Sequence, residues 1–147
     1  MLSTGETQIT SNSAGTSGVT LAAGSGSWSS LSDRNMKENF AAVDGEDILQ
    51  RLRSIPVSTW NYKTQDARVR HLGPMAQDFH AAFGVGEDSR RISGVDIDGV
   101  LLAAAQALEA RTAMQQQRID ALQQENAELR ERLERIEKLL LDDNQEK

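Results

Sequence analysis

The last third of the chain carries an apolar repeat that its own polypeptide is too short to cover. From Ile97 to Leu141 the only glycine is Gly99 and there is no proline. With Ile119 at heptad position a, Asn126, Leu133 and Leu140 also fall at a, while Leu122, Leu129 and Ile136 fall at d. Running backward, Leu108 and Gln115 occupy d, and Ala105 and Thr112 occupy a. The g-to-e′ pairs Glu125–Arg130 and Arg132–Glu137 are opposite in sign, as a parallel in-register coil requires. A continuous helix over 97–141 is roughly 65–70 Å long at about 1.5 Å per residue. Residues 32–96 cannot bury so long a stripe, so the helix must find copies of itself. Leucine at d with Asn126 at a favours two strands, but polar Gln115 and Thr112 in the seam weaken that preference. Heptads alone leave dimer and trimer open.

Around this helix there is room for one small domain in 147 residues. A net charge of −6 argues against nucleic acid as a partner. No cysteine is present, so neither disulfides nor thiolate metal sites can staple the fold. Apolar runs are too short for a membrane span, and Met1–Thr10 lacks the basic and apolar regions of a signal peptide. Asp96-Ile97-Asp98-Gly99 lacks the further ligands of a calcium loop and reads as the N-terminal cap of the long helix. Gly24-Ser25-Gly26 is not a nucleotide fingerprint, since no strand is expected before it and no third glycine follows at the required step. Neither a cofactor nor a metal is expected.

Residues 1–31 are a different material. Ser, Thr and Gly make up 18 of these 31 residues, and Glu6 is the single charge. Such a stretch buries too little apolar surface to offset its backbone entropy, so alone it is expected to be disordered. Ile9, Val19, Leu21 and Trp28 mark short strands if several chains wind together. So featureless a leader also resembles the end of something longer.

Residues 32–96 read as the globular part. Met36 and Phe40, four apart, suggest the apolar edge of a short helix ending before Asp44-Gly45. A second helix is predicted over Glu46–Ser54, with Ile48, Leu49, Leu52 and Ile55 on one face and Pro56 stopping it. Val57–Lys63 reads as a strand placing Trp60 and Tyr62 together as core, and Val69–Leu72 as its returning partner after a turn at Gln65–Arg68. Pro74 fits the start of a third helix carrying Met75, Phe79, Ala82 and Phe83, with Gly84 at its C-cap. The expected fold class is α+β, a small mixed domain followed by a long coiled-coil helix, with a tail over 142–147.

At the boundary between leader and domain stands Ser32-Asp33-Arg34-Asn35-Met36-Lys37-Glu38-Asn39-Phe40. Read plainly, Ser32 is a helix N-cap and Lys37 a solvated helical residue. Read as chemistry, Ser32 is a nucleophile and Lys37 its base. A five-residue step on a continuous helix separates two side chains by about 140°. The pair therefore closes only if Ser32 lies outside regular helix.

Ser32-Asp33 with Lys37-Glu38-Asn39, then Trp60-Asn61-Tyr62-Lys63, the run Arg70–Phe79 and the terminal coiled coil resemble, in that order, the peptidase S74 family. These are the C-terminal intramolecular chaperone domains of phage tailspikes, tail fibres and endosialidases. The resemblance implies a homotrimer that helps an upstream fibre fold in the bacterial cytoplasm during phage assembly. It also implies self-cleavage between Leu31 and Ser32, with Ser32 as nucleophile, Lys37 as general base and His71 as a helper at the scissile bond. Lys37 would act as a neutral amine, a state favoured by desolvation against Met36, Phe40 or another subunit. The alternative is a trimerisation cap of a fibre protein with no chemistry, which explains the coil but not Ser32 with Lys37. A self-cleaving release domain on a transcription factor fits less well, because the leader has no basic stretch.

Overall fold

The computed structural model describes residues 5–145, with side chains described as far as Asp142. The leader forms a three-stranded antiparallel sheet from one chain: β1 (Thr7–Thr10), β2 (Gly18–Leu21) and β3 (Ser29–Ser30), in the order β1-β2-β3. This departs from the expected disorder, or strands formed only between chains. Local hydrogen bonding supplies what apolar burial lacks. The β1–β2 connection is closed by Ser11 N–H donating to Ser17 O at 3.0 Å and by Asn12, whose Oδ1 accepts from Thr16 N at 3.0 Å. Ile9, Val19 and Leu21 lie in strands as expected, whereas Trp28 immediately precedes β3.

Downstream, helix α1 (Gly45–Ser54) begins at Asp44, whose Oδ1 accepts from Glu46 N and Asp47 N. It ends where Pro56 forbids continuation. Strands β4 (Ser58–Trp60) and β5 (His71–Gly73) pair antiparallel, with Trp60 opposite His71. Helix α2 (Ala76–Phe83) closes on Gly84 in the left-handed conformation, φ 63°, with Gly84 N–H donating to His80 O at 2.8 Å. Pro74 lies before the N-cap, Met75, rather than at the first helical position.

Helix α3 runs from Gly94 to Gln145, three residues earlier and four later than the heptads suggest, so residues 142–145 are helix rather than tail. Residues 146 and 147 of that expected tail lie outside the described residues. Its cap is Ser93, whose Oγ accepts from Val95 N and whose carbonyl accepts from Asp96 N and Ile97 N. Asp96–Gly99 thus lies inside the helix and is not its cap.

One chain builds only a small core. Ile48, Phe79, Val100 and Ala104 are buried, with Leu49, Leu52, Ile55, Phe83, Ile92, Ile97 and Ala103 packed around them. The first turns of α3 therefore do pack on their own domain, through Ile97, Val100 and Ala104 at heptad positions g and c. Gly45 allows the close approach: a Cβ there would sit 2.7 Å from Ala107 Cβ. Arg111 pairs with Glu46 across the same contact. The a/d row is left uncovered, with Leu108, Ile119, Leu122, Leu129, Leu133, Ile136 and Leu140 all exposed in the single chain. Asn126 on that row is exposed too, and its Nδ2 donates to Leu122 O.

Candidate active site

The bond between Leu31 and Ser32 sits where the sheet ends. Leu31 N–H donates to Gly18 O at 3.1 Å, so β2 holds the residue before the bond on a last rung beyond β3. Gly18 has φ +150°, and a Cβ there would lie 2.2 Å from Ile9 O. Only glycine lets β1 and β2 meet at this point.

After Ser32 the chain makes a tight reversal instead of the expected helix. Asp33 is extended (φ −70°, ψ 130°) and caps a single 3-10 turn, Arg34–Met36. Its Oδ1 accepts from Asn35 N at 2.9 Å and from Asn35 Nδ2 at 3.0 Å. Lys37 follows in extended conformation (φ −126°, ψ 154°), its N–H donating to Arg34 O. Asn39 then adopts φ 57°, a left-handed conformation that asparagine tolerates better than most residues. No helix includes Phe40, so the Met36/Phe40 pair is not a helical edge; both are exposed. Four-residue spacing suggests a helix, but Asp33 capping and the turn at Asn39 decide the local structure.

This reversal brings Lys37 Nζ to 2.6 Å from Ser32 Oγ. Ser32 lies outside the turn and Lys37 is not helical, the condition under which a five-residue step closes. Asp33, not Ser32, is the N-cap. Both side chains are exposed to solvent in one chain, and the apolar neighbours in sequence, Leu31, Met36 and Phe40, are 45%, 51% and 70% exposed. Water reaches the pair freely unless another surface covers it.

His71 opens β5. Its Nε2 lies 3.1 Å from Gln65 Oε1, which also accepts from Tyr62 N, so Nε2 carries the proton. Its ring lies 4.7 Å from Trp60 and 5.8 Å from Tyr62, forming an aromatic group on the β4–β5 hairpin. Tyr62 is 58% exposed, and neither aromatic joins the helical core. The expected core role of Trp60 and Tyr62 thus gives way to a separate cluster, in which Trp60 Nε1 is buried without a hydrogen-bond partner. Among the described residues no group of three or more metal-ligating side chains is assembled, and no helix is long and apolar enough to cross a membrane.

The chain thus has a small α+β domain, a serine and lysine in hydrogen-bond contact at its entry, and a long helix with an exposed apolar row. Residues 32–85 match the model of the peptidase S74 family, described as chaperone of endosialidase. The matched segment starts at Ser32 itself. Comparison with curated proteins and with solved structures finds no match.

Proposed function

We propose that the chain is an intramolecular chaperone that trimerises through α3, assists folding of an upstream fibre, and cuts itself between Leu31 and Ser32. The observation that carries this reading is the 2.6 Å contact between Lys37 Nζ and Ser32 Oγ beside a peptide held by β2. Neutral Lys37 takes the Ser32 hydroxyl proton as Oγ attacks the Leu31 carbonyl carbon. The C–N bond breaks, Lys37 returns the proton to the departing Ser32 nitrogen, and an ester joins Leu31 to Ser32 Oγ. Water then hydrolyses the ester, leaving a Leu31 carboxylate and a free Ser32 amine and hydroxyl.

Exposure of the pair in one chain supports gating by assembly. A fully solvated lysine near neutral pH is an ammonium and accepts no proton. Packing of a second copy over Leu31, Met36 and Phe40 would remove water and favour the amine. A solvent-exposed a/d row from Leu108 to Leu140 supplies the means of bringing copies together. His71 is the proposed helper at the scissile bond, and its ring is held in place by Gln65 and Trp60.

The experiment is cleavage of purified chain on a denaturing gel, with Ser32→Ala and Lys37→Ala beside the wild type. The wild type is expected to split and both variants to stay whole. Stable full-length wild type in a folded oligomer leaves only a cap without chemistry.

A further inference from the structure

We infer that Asp33 is a positioning residue for self-cleavage, acting through its Oδ1 as a hydrogen-bond acceptor that sets the turn joining Ser32 to Lys37. The inference rests on the proposed cut at Leu31–Ser32 and adds a residue to it. Ser32 and Lys37 face each other only because the chain reverses between them. The backbone bonds that define the reversal are few: Met36 N–H to Asp33 O at 3.1 Å and Lys37 N–H to Arg34 O at 3.2 Å. A single 3-10 turn with so few bonds is marginal without further support.

Packing does not supply that support within the chain. No residue of the turn is buried, and Met36 is half exposed. What remains is Asp33 Oδ1, which takes both the main-chain and the side-chain N–H groups of Asn35. One oxygen thereby fixes the first residues of the turn and, through them, the direction in which Lys37 leaves. Charge is not what the geometry uses. An anion near the lysine favours the ammonium form, which opposes its work as a base, whereas a neutral acceptor makes the same hydrogen bonds.

This separates Asp33 from a residue that merely stabilises the fold. If it acts as acceptor, cleavage rates must follow the presence of a side-chain oxygen at this cap, with Asn and Ser near Asp, and Gly and Ala, which offer no acceptor, behind. The experiment follows cleavage of the full chain by gel for wild type, Asp33→Asn, Asp33→Ser, Asp33→Gly and Asp33→Ala. Light scattering and circular dichroism on the same samples report assembly and fold. Asp33→Asn and Asp33→Ser are expected to cut within about twofold of wild type, and Asp33→Ala roughly five- to tenfold more slowly with assembly unchanged. Asp33→Asn as slow as Asp33→Ala would overturn the inference in favour of a role for charge. Equal rates throughout, or loss of assembly in Asp33→Ala, would overturn it as well. An uncut wild type removes the proposed cleavage and this inference together, whereas a cut wild type with indifferent Asp33 variants removes this inference alone.

Discussion

Replacing both Leu122 and Leu129 with Asp should abolish assembly and, with it, cleavage at a bond far along the chain. In the single chain these leucines are 39% and 53% exposed. Each is already partly covered by its own helix, so covering the remainder contributes about 1 kcal/mol per side chain. The double variant loses that, and it puts two carboxylates per chain into the seam, six in a trimer. Each buried, unpaired carboxylate costs several kcal/mol, more than any one remaining seam residue returns at about 1 kcal/mol. Helix propensity changes by only about 0.5 kcal/mol per substitution, so α3 itself should persist where it packs on Ile48 and Phe79. Ser32, Asp33 and Lys37 are untouched. Light scattering on gel-filtration fractions gives the mass, and a denaturing gel on the same fractions gives the cleaved share. The expected result is an uncut monomer. Efficient cleavage in a confirmed monomer would refute gating while leaving Ser32 and Lys37 in their roles, and a persistent trimer would refute the seam.

Three further outcomes follow from particular contacts. Gly45→Ala places a methyl 2.7 Å from Ala107 Cβ, where neither partner can swing away, and should cost about 1–3 kcal/mol, read as a lowered Tm. The proposed mechanism uses Lys37 as a neutral amine, so on that reading the cleavage rate of assembled protein should rise with pH and then level; a flat profile between about pH 6 and 9 would exclude lysine as the base. The side-chain hydrogen bond from the Arg68 guanidinium, and then its backbone N–H, hold the Asp66 carboxyl below the usual carboxylate range. A lowered carboxyl stabilises the folded state above its unfolded value near pH 4, and that contribution fades as pH falls through the lower folded value. Arg68→Ala should move the Asp66 titration, followed by NMR, up toward that of a free side chain.

The periodic segments are legible in the amino-acid sequence. Ile48, Leu49, Leu52 and Ile55 announce α1, Gly84 marks the end of α2, and heptads from Leu108 to Leu140 announce α3. The apolar signals are local and repeat, so no tertiary contact can readily override them, while Gly84 marks its cap through the left-handed conformation that glycine accepts. Met36 and Phe40 mislead because an i, i+4 pair is a single coincidence, whereas Asp33 capping and a left-handed Asn39 are decided by hydrogen bonds that spacing does not encode. The true start of α3 escapes the heptads because Ser93 caps from outside the apolar repeat. The leader sheet is hidden because its support lies in polar contacts such as Ser11 with Ser17, invisible to hydropathy. At the site, motif resemblance points to Ser32 and Lys37 but not to the turn that makes them neighbours. Gly18, which lets β1 and β2 approach next to Leu31, carries no signal beyond being glycine in a glycine-rich stretch.

The central claim is that Ser32 cuts the bond before it, and the mass of the assembled wild-type chain tests it most directly. Intact-mass measurement after incubation should show a fragment beginning at Ser32 and ending at Lys147, a complementary fragment ending at Leu31, and only full-length chain in Ser32→Ala. A wild-type sample that assembles yet retains its full mass, or a fragment whose first residue is not Ser32, would contradict it.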